Sequence, residues 1–149
     1  MSSMVRAETR SDFTYNLDIP TRWGDNDMLG HLNNVVYYRF FEAVVVKFMT
    51  DEFKLNWRSD TENAQAVESL CRFHRPLSFP DLITAGLRVG RIGTSSITFE
   101  LALFGPGQET AAATGHVVEV LVNVESAKST PIDQTRRALL AKFTRPQPA

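Results

Sequence analysis

The chain has 149 residues, the usual length of one domain, and 43% of them are hydrophobic, which is enough for a substantial core. Its formal net charge of −1 gives no electrostatic reason to expect binding to nucleic acid or to an acidic membrane surface. One cysteine, Cys71, excludes an intrachain disulfide and suits a reducing compartment. The sequence shows neither a signal peptide nor an apolar run of the ~18 residues that a membrane span needs. We therefore expect one domain over residues 1–149 of a cytoplasmic protein, with flexible tails at 1–12 and 145–149.

The first half of the chain predicts a strand, a loop and a long helix. Apolar and polar residues alternate over residues 13–19, which is typical of a strand with one buried face. Residues 21–34, TRWGDNDMLGHLNN, are rich in turn-forming and polar residues, and long ordered loops of this kind often carry function. Residues 35–49 contain neither Gly nor Pro and are apolar on nearly all sides, which predicts a buried helix. Asn33 and Asn34 are suitable N-caps for this helix.

The second half of the chain predicts a sheet. Residues 51–63 suggest a short helix, and residues 131–143 suggest another that closes the domain. Between these two segments, strand patterns occupy residues 67–73, 82–92, 97–103 and 112–124. Short turns between successive strands favour antiparallel pairing. One long helix and about five antiparallel strands predict an α+β domain.

The loop before the long helix gathers reactive side chains, which are Asp25, Asp27, His31, Asn33 and Asn34. The start of a helix offers unpaired N–H groups and the positive end of the helix dipole. Such an end polarises a carbonyl and stabilises the oxyanion that forms on it. A carboxylate held beside it can act as a base or nucleophile, so the pattern fits a minimal hydrolytic site. Loop aspartates also serve as caps and turn formers, and from the residues alone both roles stay open.

Other chemistries fit this loop poorly. Aligned as an EF-hand, the loop places Leu29 and Val36 at ligand positions, where neither side chain supplies an oxygen. A transition-metal site built on His31 and the two aspartates lacks a further ligand elsewhere in the sequence. The chain has no G-x-S-x-G motif, and residues 90–93, GRIG, are too short for a phosphate-binding loop and predict a turn or bulge. We therefore expect neither a metal nor a cofactor.

The segment TRWGDNDMLGHLNNVVYYRFFE resembles the 4-hydroxybenzoyl-CoA thioesterase family of the hot-dog fold. The similarity continues through SLCRFHRPLSFPD, VGRIGTSSITFEL and ATGHVVEVLVNVESAKSTPI, so that it spans roughly residues 13–132. This resemblance implies a long central helix wrapped by an antiparallel sheet. It also implies hydrolysis of an acyl-CoA to free acid and coenzyme A, by homodimers or homotetramers with active sites at the subunit interface.

The resemblance also implies the chemical roles of three loop residues. Asp27 matches the catalytic carboxylate, which either attacks the thioester or activates water. The backbone N–H of Asn34 matches the oxyanion donor at the start of the helix. His31 occupies a place that varies between subgroups, and we include it among the catalytic candidates.

The resemblance further implies contacts with the substrate. Asn33 is expected beside the substrate, and Tyr37 is expected either in the core or at the border of the acyl pocket. Arg91, Ser95 and Ser96 belong to a segment that often contacts coenzyme A in this family.

One stretch departs from the family pattern, and two other functions remain open. The family's V-D-x-x-T-x-K/R-P signature is softened at Asn123, Ala127 and Ser129, so Lys128 receives no assigned role. Because His31 follows Asp27 by four residues, the pair could mimic the Asp/Glu and His of hot-dog acyl-thioester hydratases or dehydratases. The remaining alternative is a non-catalytic protein that binds acyl thioesters.

Overall fold

A computed structural model describes residues 7–146. The secondary-structure elements are β1 (Tyr15–Pro20), α1 (Asn34–Asp51), β2 (Glu62–Phe73), β3 (Leu82–Ile92), β4 (Ser96–Phe104), β5 (Ala113–Asn123) and α2 (Gln134–Ala141). All strand pairs are antiparallel, and the strand order is β1-β3-β4-β5-β2. The five-stranded sheet with one long helix confirms the α+β architecture predicted from the sequence. No helix in this part of the chain is long and apolar enough to cross a membrane.

The core lies between α1 and one face of the sheet. On β4, Phe99 and Leu101 are buried, and the ring of Phe48 on α1 meets the ring of Phe99 edge-on, with centroids 5.4 Å apart. Alternate residues of a strand share one face, which is why the period-two pattern of β4 already indicated a buried side. Burial of each large apolar side chain contributes about 1.5–3 kcal/mol. The core around α1 therefore holds the helix, and the loop before it, in a fixed position on the sheet.

The predicted helix within residues 51–63 is wrong. These residues form turns after α1 and then the beginning of β2. Lys54 has a φ of 60°, a left-handed conformation that no continuing right-handed helix contains. Phe53 and Leu55 are nevertheless buried, and their N–H groups bond to the last turns of α1. The apolar residues of this segment therefore anchor a reversal of the chain and do not form the face of a helix.

The predicted flexible tail over residues 1–12 also differs from the structure. Residues 1–6 lie outside the described part of the chain, but Glu8 accepts a hydrogen bond at its carbonyl oxygen from the N–H of Ala111. The guanidinium of Arg10 donates to the carbonyl oxygen of Gly105 at 2.7 Å. These partners are distant in sequence, so local composition gave no sign of them.

Arg88 fixes the same N-terminal segment to the sheet. It alternates on β3 with core residues that face α1, so it lies on the opposite face of the sheet. Its guanidinium donates to both carboxylate oxygens of Glu8, at 2.9 and 3.0 Å, and to Glu100 at 2.7 Å. At the other end of the chain, Arg145 also pairs with Glu8, while residues 147–149 lie outside the described part. The outer face of the sheet is therefore partly covered by the chain's own N-terminal segment.

The strand predicted over residues 67–73 belongs to β2, which lies at one edge of the sheet. One face of α1 is uncovered, because Val35, Tyr38 and Val46 remain 73%, 39% and 38% exposed. The prediction of a helix buried on nearly all sides is therefore wrong for the single chain.

The carboxyl groups of Glu42 on α1 and Glu119 on β5 show where the uncovered face of α1 lies relative to the sheet. Burial, and secondarily the charge of Glu42 on α1, raises the pKa of Glu119 on β5 to about 7. Glu119 is paired with Ala66 of β2. Glu42, on the exposed side of α1, therefore lies close to β5, the strand next to β2.

Gly115 in β5 occupies a position where α1 and β2 both come close. A Cβ atom there would lie 2.0 Å from the carbonyl oxygen of Leu70 and 2.8 Å from the ring of Phe41. We expect Gly115→Ala to lower the free energy of unfolding by about 1–3 kcal/mol, because a strand or the helix must shift. Urea unfolding measures this change. Gly24→Ala is the matched control, since nothing lies within 4 Å of its Cβ position, and equal losses in both variants would contradict the proposed clash.

Candidate active site

The loop before α1 meets the end of β2 at a cleft of about 250 Å³. Four of the predicted site residues line this cleft, and they are Asp27, His31, Asn34 and Tyr37. The opposite wall comes from the end of β2 and the residues after it, namely Phe73, His74, Arg75 and Pro76. The fold therefore brings the predicted catalytic groups together and adds a second wall that the sequence did not predict.

Asp27 lies in a tight turn on the wall of the cleft. Its Oδ1 accepts a hydrogen bond from the N–H of Leu29 at 2.9 Å, and its carbonyl oxygen accepts one from the N–H of Gly30 at 3.0 Å. Gly30 has a φ of 78°, which glycine adopts without strain. Within residues 7–146, no hydrogen bond engages Oδ2 of Asp27. Asp27 therefore shapes the turn with one oxygen and has the other available for a substrate.

The first turn of α1 carries an unbonded N–H on a residue that lines the same cleft as Asp27. Asn33 is the N-cap, as predicted, and its Oδ1 accepts a hydrogen bond from the N–H of Val35 at 3.0 Å. The N–H of Val36 bonds to the carbonyl oxygen of Asn33. Between them, the N–H of Asn34 donates to no residue in the described part of the chain. An unpaired N–H at a helix start is suited to stabilise an oxyanion.

Asp25 anchors the loop to α1. Its carboxylate is only 1% exposed and accepts hydrogen bonds at 2.8 Å from the backbone N–H of Arg22 and from Nη2 of Arg39 on α1. The carbonyl oxygen of Asp25 also accepts a hydrogen bond from the N–H of Asn33 at 2.9 Å. Hydrogen bonds to a charged carboxylate are stronger than those between neutral groups. Asp25 therefore has the role of a loop-shaping residue, one of the two that the sequence left open.

The segment after β2 holds the other side of the loop. The N–H of Leu32 donates to the carbonyl oxygen of Leu77 at 2.7 Å. The N–H of Phe79 donates to Oδ1 of Asn26 at 3.0 Å. The loop is thus bonded both to α1 and to the chain that leaves β2, which fixes Asp27 between the two walls of the cleft.

Tyr37 is buried, as expected for a core residue, and it also borders the cleft. Its hydroxyl oxygen accepts a hydrogen bond from the N–H of Leu77 at 3.3 Å, and its ring packs edge-on against Phe73, with centroids 4.9 Å apart. Burial is the main cause that raises the pKa of the Tyr37 hydroxyl.

Burial also raises the pKa of the Cys71 thiol to about 11, so this thiol stays protonated at neutral pH and is a poor nucleophile.

The structure does not bring Arg91, Ser95 and Ser96 to this cleft within one chain. They lie around the turn between β3 and β4, at the opposite end of the sheet from the end of β2. The length of β4 separates these two ends by roughly 25 Å, at about 3.3 Å per residue. Their contact with coenzyme A stays a prediction.

Two residues at the end of β2 were missed by the sequence analysis. His74 lines the cleft, and its Nε2 lies 2.8 Å from Oγ1 of Thr114. Arg75 lines it too, and its guanidinium donates to the carbonyl oxygen of Thr110 at 2.6 Å and to Oε1 of Gln108 at 3.0 Å. Both fall within the SLCRFHRPLSFPD segment, but nothing in that pattern indicated that it meets the loop before α1.

The model of the thioesterase-like superfamily matches residues 21–143, which include the loop, α1 and the whole sheet except β1. This chain belongs to the thioesterase-like superfamily. Membership confirms the family suspected from the sequence and makes the protein a thioester hydrolase.

Individual proteins of known structure or sequence are similar to this chain over most of its length. The PA5185 protein of Pseudomonas aeruginosa is 38% identical and has a TM-score of 0.88, with 94% of this chain and 98% of that chain covered. The protein YsmA of Bacillus subtilis is 28% identical over 89% of this chain and 90% of its own length. The 1,4-dihydroxy-2-naphthoyl-CoA thioesterase Slr0204 of Synechocystis has the same fold, with a TM-score of 0.77 at 12% identity and 89% and 98% coverage. The hot-dog architecture expected from the sequence is thereby confirmed.

We expect Asp25→Asn to destabilise this thioesterase-like protein. The variant keeps one carbonyl oxygen for the N–H of Arg22 but loses the negative charge that binds Arg39, which should cost about 1–3 kcal/mol of unfolding free energy. Thermal and urea unfolding measure the change.

Asp27→Asn is the matched control for this measurement. Its amide oxygen can still accept from the N–H of Leu29, so its stability should stay close to that of the wild type. A larger loss of stability in Asp27→Asn than in Asp25→Asn would contradict the anchoring role of Asp25.

Proposed function

We propose that this superfamily member hydrolyses acyl-coenzyme A thioesters to free acid and coenzyme A, with Asp27 as nucleophile or general base. The single observation that carries this proposal is the meeting of Asp27 and the unbonded N–H of Asn34 on one cleft. The reaction needs an electrophile cradle and a carboxylate, and both are protein groups. We accordingly propose that it uses no metal and no cofactor.

The chemistry follows from these two groups. The N–H of Asn34 and the positive end of α1 polarise the thioester carbonyl and stabilise the oxyanion of the tetrahedral intermediate. In one route Asp27 attacks the carbonyl carbon, the C–S bond breaks, and water then hydrolyses the mixed anhydride. In the other, Asp27 takes a proton from water as that water attacks. In both routes the thiolate of coenzyme A leaves, and we propose His31, on the same wall, as the group that gives it a proton.

The apolar residues that line the cleft suit an apolar acyl group. Leu29, Leu32, Tyr37 and Phe73 line it beside Asp27. Asn33 lies next to this wall, but its side-chain oxygen is engaged in capping α1, which leaves its amide nitrogen for a substrate contact. Leu29 is 81% exposed, so this wall is open on one side in the single chain. We propose that a second subunit closes it.

The exposed edge of β2 supports a homodimer, or a larger assembly built from such dimers. An unpaired edge strand is a liability that pairing with another strand removes. Val67 on β2 is 62% exposed, and Glu42 on the uncovered side of α1 lies close to β5, the strand next to β2. Pairing of two β2 strands would cover the edge and the uncovered side of α1 together.

Antiparallel pairing of two β2 strands would also explain the distant residues of the predicted site. The end of β2 lies at the cleft, while its start, at Glu62, pairs with Asn123 near the turn between β3 and β4. Antiparallel pairing brings the start of one β2 toward the end of the other. The turn that carries Arg91, Ser95 and Ser96 in one subunit would thereby approach the cleft of the other, where it can contact coenzyme A.

We expect sedimentation equilibrium at micromolar concentration to show dimers or larger oligomers without monomer. Val46→Glu places a charge on the uncovered face of α1 and should shift the protein toward monomer with loss of activity. Leu82→Glu is the control, because Leu82 is similarly exposed but pairs with Pro20 at the other edge of the sheet. A stable, fully active wild-type monomer would refute the dimer and the shared cleft.

Asp27→Asn should abolish most turnover without unfolding the protein. Asn has nearly the same shape as Asp but no basic oxygen, and loss of a general base lowers a rate by about 10²–10⁴-fold. The drop should appear in kcat, because Asp27 acts on the reacting carbon and contributes little to holding coenzyme A. Release of free thiol over a panel of acyl-CoA substrates measures it.

The same assay tests the competing functions. The Asp27 and His31 side chains line one cleft, which is the observation that favours a hydratase or dehydratase as second candidate. That activity changes the acyl chain and releases no thiol. Binding of acyl-CoA without any reaction would indicate a non-catalytic binding protein. Near-wild-type kcat in Asp27→Asn would overturn the carboxylate mechanism.

A further inference from the structure

The face of the sheet opposite α1 carries a groove of about 750 Å³. The N-terminal segment, with Glu8 and Phe13, forms one side of this groove. Arg72 on β2 and His116 on β5 line its other side. The groove is separate from the cleft of Asp27, which lies at the end of the sheet on the α1 side.

His74 and Arg75 line both the cleft and the outer groove. They follow directly after Phe73, the last residue of β2, so they form a ridge between the two hollows. The two hollows therefore adjoin, so that a long ligand that reacts at Asp27 can extend over this ridge to the outer face of the sheet.

The acidic groups along the groove are already paired. Glu8 and Glu100 both accept hydrogen bonds from Arg88, and Glu68, beside the groove, pairs with His116 at 2.7 Å. Each of these carboxylates therefore already has a hydrogen-bond partner within the protein.

Two cations near the ridge make no ion pair with a carboxylate among residues 7–146. The guanidinium of Arg75 is held by neutral oxygens of Thr110 and Gln108, which fix its position without cancelling its charge. Arg72 is exposed, and its guanidinium makes no ion pair with any residue of 7–146. The groove is therefore most positive at the end nearest to the cleft.

We propose that this end of the groove binds the phosphate groups of the nucleotide part of coenzyme A while the thioester reacts at Asp27. The proposal rests on the proposed acyl-CoA hydrolysis and adds to it a second binding region. Guanidinium groups bind phosphate through paired, charge-assisted hydrogen bonds. Arg72 supplies the free guanidinium, Arg75 supplies a fixed positive charge, and the flexible pantetheine arm crosses the ridge at His74.

The test compares an acyl-CoA with the same acyl group on pantetheine, which lacks the nucleotide and its phosphates. Arg72→Gln should lower kcat/KM for the acyl-CoA about tenfold relative to the acyl-pantetheine, as loss of one charged hydrogen bond predicts. The change should come from KM. Arg58→Gln is the matched control, because Arg58 is an exposed arginine that lines neither hollow.

Arg91→Gln distinguishes the two candidate phosphate sites. A selective loss of acyl-CoA efficiency in Arg91→Gln with none in Arg72→Gln would overturn the proposal. Equal losses for both substrates in Arg72→Gln would also overturn it. If those losses came with a change in sedimentation, the groove would be an interface between copies of the chain.

Failure of the proposed hydrolysis leaves this inference testable by binding alone. If the wild type hydrolyses neither thioester, titration calorimetry with free coenzyme A and with pantetheine replaces the kinetic assay. Tighter binding of coenzyme A that weakens about tenfold in Arg72→Gln, and not in Arg58→Gln, would support the groove. Equal binding of the two compounds by the wild type would refute it.

Discussion

The ion pair between the buried carboxylate of Asp25 and the guanidinium of Arg39 is the contact on which the arrangement of the cleft depends. It joins the loop to the second turn of α1, and the Asp25 carbonyl oxygen also holds the N-cap Asn33. Because Asp27 follows Asp25 by two residues, these contacts also fix the position of Asp27 relative to the start of α1. The carboxylate of Asp25 thus holds the loop in place, whereas Asp27 lines the cleft.

The side chain of Asp27 can serve in both roles that the sequence left open, which are turn formation and catalysis. One carboxylate oxygen closes the turn through the N–H of Leu29, and the other is unbonded within the described residues. Turn formation and chemistry are therefore compatible in one side chain. The turn holds the carboxylate in a single place, which is what a group acting on a bound carbonyl needs, because orientation contributes strongly to rate.

The sheet separates two sets of residues that the sequence presented as one site. The loop before α1 reaches the end of β2, whereas the turn between β3 and β4 lies at the far end of the strands. In a single chain these sets cannot act on one thioester. An assembly across the β2 edge, as we propose, restores their proximity, and it leaves the outer groove beside the same ridge.

The sequence by itself determined the local features of this protein. Strand patterns predicted β3, β4 and β5 to within two residues, and the polar loop and Asn33 cap predicted where α1 begins. Such signals are short-range, because side-chain alternation and capping involve residues only two to four positions apart. The family motif in the same loop also singled out Asp27 as the candidate carboxylate.

Only the tertiary structure decided which distant segments meet. Arg75 lies at the cleft, and Arg91 lies at the other end of the sheet. The N-terminal segment is held on the sheet by the ion pair between Glu8 and Arg88. A reversal at Lys54 takes the place of the expected helix after α1. These outcomes depend on strand order, on strand length and on ion pairs between residues far apart in the chain. No local pattern encodes such relations, since each is set by the packing of the whole sheet against α1.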